Sequence, residues 1–304
     1  VNSAKSTQRG AAVILAMITV MLCATIAAAA LGDLGHSIDS AAGRQDQGQA
    51  RLLARAAADW ARNVLADDAM RTTVDHSGEP WAVRVPPTPV DEAEVSGEIL
   101  DWSGRYNLNN LVIDGKADPD AAVQFARLLG ALGIHPVRAT RLSVNLLDWI
   151  TPLDPDSDGG TPRPDKTRPP RGPLLDIGEL TLIPGYDAAL VEQIAAFAVA
   201  LPAPSRINVN TAPAEVLAAI TDGIDINMAR VLVAERERAW FKDIADFSAR
   251  LPEGAQPARG ARIDVKSQYF LVTGRASHGS AMVRMEVLLD RQQSWPEILW
   301  QRIL

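Results

Sequence analysis

An α+β fold is what the 304 residues predict. It has a long N-terminal helix, apolar and then amphipathic. An antiparallel sheet is assembled from segments near both ends of the chain, and a large all-α domain is inserted between those segments. Three observations carry this reading. Residues 11–31 form an uncharged apolar run that leads into helical periodicity. Period-two alternation occurs on both sides of the middle of the chain. The stretch 103–260 between them carries helical spacing and capping residues.

The first element is AAVILAMITVMLCATIAAAAL at 11–31. As a helix it spans about 31 Å, the hydrocarbon thickness of a bilayer. Lys5 and Arg9 precede it and Asp33 follows it, which predicts a cytoplasmic N-terminus. A cleaved secretory signal with its cut among the alanines at 27–30 is the rival reading, but its apolar core would be shorter. At 50–65, Leu52, Ala56, Trp60 and Val64 share a face with Leu53, Ala57, Ala61 and Leu65, while Arg51, Arg55, Asp59 and Arg62 lie opposite. The apolar helix is expected to continue into this amphipathic one, with a break near Gly43 and Gly48.

Strands are expected at 81–85, ended by Pro86-Pro87, and at 95–102. Helices follow at 121–132, at 187–201 capped by Asp187, at 211–220 with Thr211 as cap and Pro213 in the first turn, at 227–239, and at 243–250. Strands return at 266–276 and 281–291 around a Ser277–Ser280 turn, and again at 297–303.

Composition narrows function. The net charge of −7 argues against a general nucleic-acid binder. Cys23 is the only cysteine, so no intrachain disulfide forms. There is no GxSxG, HExxH, Walker-type glycine loop or Cys/His cluster, and His36, His76, His135 and His278 are scattered. No enzyme is expected. In Asn107-Leu108-Asn109-Asn110 and Asn208-Val209-Asn210-Thr211, the asparagine amides suit turns and helix starts. Asp154, Asp156 and Asp158 with Gly159 have the 1, 3, 5 and 6 spacing of a calcium loop, and Asp165 falls at position 12. The stretch is proline-rich, so a plain linker is the alternative.

Gln8-Arg9-Gly10 before an uncharged run resembles a type IV prepilin leader. The resemblance implies that a prepilin peptidase cuts between Gly10 and Ala11 and methylates the new N-terminus. The fifth residue after that cut is Leu15, where pilin-like chains carry glutamate. DWSGRYNLNNL at 101–111, LLDWI at 146–150, INVNTAPAEVL at 207–217 and VKSQYFLV at 265–272 resemble the K-type minor pseudopilin of bacterial type II secretion, the general secretion pathway protein K family.

That resemblance implies the following layout: a leader at 1–10, a transmembrane helix at 11–31, and the stalk and first part of a pilin-like body at 32–102. An inserted helical domain at 103–260 and returning strands at 261–304 complete it. It also implies a single-pass inner-membrane protein with its C-terminal domain in the periplasm. Such a subunit forms a pseudopilus tip that helps export folded proteins. Its partners would be the I-type and J-type minor pseudopilins and the major pseudopilin. In the family an acidic loop after the DWI motif holds calcium, which points to Asp154, Asp156, Asp158 and Asp165. A rival lies in 207–250, which looks like a helix-hairpin-helix DNA-uptake module. Its hairpin, Asp222-Gly223-Ile224-Asp225, would turn two carboxylates toward phosphate.

Overall fold

The computed structural model describes residues 6–152 and 172–304. Helix α1 runs unbroken over Ser6–Arg71, 66 residues, or about 99 Å of helix. Its Ala11–Leu31 segment has a mean hydropathy of 2.5 and none of it is buried, so the segment has the length and composition to cross a membrane. The expected break at Gly43 and Gly48 does not occur. Each glycine costs about 1 kcal/mol in a helix, but Asp46 between them is gripped from outside. Its Oδ2 accepts from Ser280 N (2.9 Å) and Ser280 Oγ (3.2 Å), and His278 Nδ1 lies 3.3 Å from Oδ1.

The buried seam of α1 keeps only the Leu53, Ala61, Val64 and Leu65 flank of the expected stripe. Ala50, Ala54, Ala58, Ala61 and Leu65 face inward, whereas Leu52 and Trp60 are more than half exposed. Alanines let the helix axis approach the sheet closely, and side-chain bulk alone did not reveal which flank would do so.

Five strands form one antiparallel sheet: β1 (Val85–Val90), β2 (Ala93–Asp101), β3 (Tyr269–His278), β4 (Ala281–Asp290) and β5 (Glu297–Ile303), in spatial order 1-2-3-4-5. The strand expected at 81–85 is displaced. Trp81 sits in a 3₁₀ turn, Pro80–Ala82, with its Nε1 donating to Glu79 Oε2 at 2.8 Å. The strand instead starts at Val85 and runs through Pro86, Pro87 and Pro89. That is allowed because β1 is an edge, where a missing N–H leaves no ladder bond unmade. The inner face of the sheet packs Ile99, Phe270, Val272, Val287 and Leu289 on the α1 seam.

The segment between β2 and β3 forms a head with its own core, built around Phe125, Leu128, Leu146, Leu217, Phe241 and Phe247. Its helices are α2 (Pro119–Ala131), α3 (Pro136–Ile150), α4 (Ala188–Ala195), α5 (Ala214–Ile220), α6 (Ile226–Arg238) and α7 (Ile244–Ala249). Asp118, Asp187, Asp225 and Asp243 cap α2, α4, α6 and α7. Helix α4 ends earlier than expected because Ala198–Val199 leaves to pair with Tyr106–Asn107. Thr211 does not cap α5; Pro213 holds that position, and the Thr211 hydroxyl is used elsewhere.

Candidate functional site

The head contains two units of similar layout, the first of which carries α4 as an additional helix. Each unit opens on a two-residue strand, Tyr106–Asn107 or Ile207–Asn208, and closes on another that pairs with it in parallel, Ala198–Val199 or Ile263–Asp264. Between them lie an asparagine turn, a helix pair joined through a glycine of positive φ (Gly133 at 85°, Gly223 at 84°), and a short helix capped by Asp176 or Asp243.

The asparagines do equivalent work in the two units. Asn107 Oδ1 accepts from Asn109 N at 3.1 Å, and Asn208 Oδ1 accepts from Asn210 N at 2.8 Å. Asn109 clamps the backbone of Leu174, accepting from its N (2.8 Å) and donating to its O (2.9 Å). Asn210 clamps Phe241 with the same two distances. Each clamped residue precedes a capping aspartate by two positions. The asparagines are therefore structural, and the turn they hold places the next helix.

The two units meet the sheet at a buried polar joint. Asp101, at the end of β2, accepts from Ser103 N (2.7 Å), Asn208 Nδ2 (3.3 Å) and the hydroxyls of Thr211 and Ser267. Burial pushes its carboxyl up to about 6, against the pull of those hydroxyls. Just past α1, Asp75 receives Ser267 N at 2.7 Å, and its backbone O accepts from Asn208 Nδ2 at 3.0 Å. Arg291, following β4, bridges Asp68 of α1 (2.9 Å) and Asp75, and its guanidinium lies 4.6 Å from the centre of the Phe270 ring. Stalk, sheet and head are thus joined through one set of side chains.

Asp68, Asp75 and Glu79 form the only group among the described residues with the geometry to hold a metal. Arg291 already neutralises two of them, and Glu79 is engaged by Thr72 Oγ1, His76 N and Trp81 Nε1. Burial first, then Glu79 and Asp75, push the Asp68 carboxyl up to about 6. The seat suits the arginine it contains. Sequence reading did not single out Asp101, Asp75 or Arg291, since nothing in their spacing marks a joint between distant segments.

Of the residues singled out from sequence, Gly10 and Ala11 lie within α1, and Leu15 projects on its exposed apolar surface. Asp154, Asp156, Asp158 and Asp165 lie outside the described residues. The Asp222–Asp225 hairpin is not an open phosphate cradle. Asp222 pairs with Arg127, Asp225 caps α6, and Thr221–Asp222 is laddered to Gln256–Pro257. A Cβ built on Gly223 would fall 3.0 Å from Gly254 O, so backbone already covers that side. Arg236, whose burial lowers it to about 10, turns inward to the carbonyls of Val209 and Ala212.

A membrane-length helix that continues as a stalk, lies on an antiparallel sheet and carries a helical head spliced between strands defines a pilin-type subunit with an enlarged head. Two models of the family described as type II secretion system (T2SS) protein K match the chain, one over residues 104–203 and one over 207–266, close to the two units. Type II secretion system protein K of Pseudomonas aeruginosa is 31% identical over 301 residues, covering 94% of this chain and 89% of that protein. The chain belongs to the type II secretion system protein K family, the K-type minor pseudopilins. The Klebsiella pneumoniae protein K is 28% identical, covering 94% of this chain and 93% of that one. In structure the chain is similar to one from the crystal structure of the GspK-GspI-GspJ complex of the enterotoxigenic Escherichia coli type 2 secretion system. The TM-score is 0.72 and the identity 23%, over 87% of this chain and 99% of that chain, which is a likeness of fold.

Proposed function

We propose that this minor pseudopilin forms the tip of the type II secretion pseudopilus and helps export folded proteins across the outer membrane. The observation that carries this reading is the head at the end of α1 remote from the apolar segment. A body of that size above the stalk obstructs addition of a further subunit. Leu15 fits the same role. A carboxylate in lipid is costly and needs a partner to justify it, and a subunit with nothing above it has no such partner. The α1 apolar segment anchors the chain in the inner membrane, with sheet and head in the periplasm. I-type and J-type minor pseudopilins are its neighbours, which the co-crystallised E. coli relative supports, and the major pseudopilin continues the filament. A prepilin peptidase releases residues 1–10 at Gly10–Ala11 and methylates Ala11.

Two experiments test this reading. Overproducing the chain should shorten pseudopili, and deleting residues 103–260 should relieve the effect. Unchanged filament lengths in both strains refute the tip role. N-terminal sequencing of the membrane form should begin at Ala11, and Gly10→Leu should retain the leader. A start near residue 31 refutes the processing step.

A further inference from the structure

A concavity of about 300 Å³ opens beside the joint, where the Pro204–Arg206 loop, the Arg262–Gln268 segment and the start of the β4–β5 connection meet. Its polar floor is already committed. Ser205 Oγ accepts from Asn107 Nδ2, Ser267 Oγ donates to Asp101, and Gln268 Nε2 donates to Asp290. Arg291 is held by Asp68 and Asp75.

What remains toward the opening is cationic: Arg206, Arg262 and Lys266. Among the described residues, neither Arg262 nor Lys266 has a carboxylate within ion-pair distance. Arg206 reaches Asp264 only at 3.8 Å, and Asp264 Oδ1 also accepts from Val265 N. Three cations against one carboxylate leave an excess of positive charge on this rim, in a chain whose overall charge is −7. Arg206 and Arg262 flank the parallel ladder Ile207–Ile263, whose backbone is fixed by Ile207 N donating to Arg262 O at 2.7 Å. The ladder therefore sets the backbones that carry Arg206 and Arg262 side by side, with their exposed side chains free to turn toward a ligand.

Position narrows the ligand. Val265 O accepts from Asp75 N, so the concavity lies beyond the C-terminal end of α1. From Leu31 to Arg71 the helix covers about 60 Å. Headgroups of the bilayer that holds Ala11–Leu31 are out of reach. Guanidinium forks match oxyanions in bidentate geometry, and an ammonium adds a point charge.

We propose that this concavity binds a small dianionic oxyanion of the phosphate class, taken between Arg206, Arg262 and Lys266. Free phosphate and a phosphate monoester offer the same chemistry.

The test uses the full chain in a nonionic detergent, titrated calorimetrically with inorganic phosphate, with glycerol 3-phosphate, and with chloride as control. Saturable binding of a phosphate ligand is expected, weakened at least tenfold in Arg262→Gln/Lys266→Gln. Both side chains are exposed, so the melting temperature of that variant should match the wild type. Arg275→Gln/Arg284→Gln, on the sheet, should bind as the wild type does. Tighter binding of glycerol 3-phosphate would assign the monoester, and tighter binding of inorganic phosphate the free ion. Absence of saturable heat with both phosphates, or equal binding by wild type and Arg262→Gln/Lys266→Gln, overturns the proposal.

Discussion

Removing the Asn210 carboxamide should unfasten the second unit of the head. Asn210 is 2% exposed, and its side chain accepts from the N–H and donates to the C=O of Phe241. In Asn210→Ala the N–H and C=O of Phe241 lose these partners next to a ring that is itself fully buried. A buried backbone group left unpaired costs about 1–3 kcal/mol, so the two together cost about 2–6 kcal/mol. The bond from Asn210 N to Asn208 Oδ1 is retained, since its donor is backbone. The twin substitution, Asn109→Ala, frees the N–H and C=O of Leu174 and also the Leu201 carbonyl, which Asn109 Nδ2 reaches at 2.7 Å. It should therefore cost at least as much. Urea unfolding followed by circular dichroism measures both, and native-state exchange of the Phe241 amide should accelerate about thirtyfold or more, since about 1.4 kcal/mol is tenfold. Losses below about 1 kcal/mol in both variants would refute the clamp, showing that water replaces the carboxamide at little cost.

Asp101 makes stability depend on pH. Its carboxyl is raised to about 6 in the fold, against about 3.9 when unfolded. The folded state therefore holds the proton more tightly. The stabilisation is fully present below about pH 4 and is lost as pH rises through about 6, a change on the order of 3 kcal/mol. Asp101→Asn should remove that part of the slope, read as the difference in urea midpoints between pH 4 and pH 7; parallel slopes would count against it. A Cβ at Gly97 would sit 2.6 Å from the Thr273 carbonyl, whereas one at the paired Gly274 meets nothing closer than 4.0 Å. Gly97→Ala should thus cost about 1–3 kcal/mol and Gly274→Ala clearly less, by thermal unfolding, and equal costs would contradict the packing. For calcium, titration of the full chain should show binding that weakens in Asp154→Ala/Asp156→Ala. A flat isotherm at millimolar calcium would leave the acidic loop a linker.

Much of this architecture is legible from sequence because it rests on local periodicity. The strand at 297–303 coincides with its expected bounds, and α2, α6 and α7 fall within a residue or two of theirs. Asp187 caps α4 as its position suggests. Helix α3 is absent from the expected helices although Leu142, Leu146 and Ile150 carry local helical spacing; the other departures depend on neighbours. The α1 seam is chosen by a sheet that needs alanines, although Trp60 is the more hydrophobic side chain. The strand through Pro86 and Pro87 is possible only at an edge, and edge status is a property of the whole sheet. The two-residue ladders are too short to carry a period. Asp101, Asp75 and Arg291 come from three segments far apart in sequence and acquire a shared role only when those segments meet.

The splice of the head into the sheet has a kinetic consequence. Strands β2 and β3 are direct neighbours, yet residues 102–268 loop out between them, and Trp102 N donates to Tyr269 O at 2.9 Å where the loop leaves and returns. If the head were unfolded, closing a flexible loop of that length would cost about 4–5 kcal/mol from its length dependence alone. A folded head removes most of that cost by presenting its two ends side by side. We expect the helical units to form before the central strand pairing, which pulsed hydrogen exchange would show as earlier amide protection in the head than in β2 and β3. Lesions confined to the head should then surface as chains whose sheet pairs late, leaving strand edges open to other molecules in the meantime.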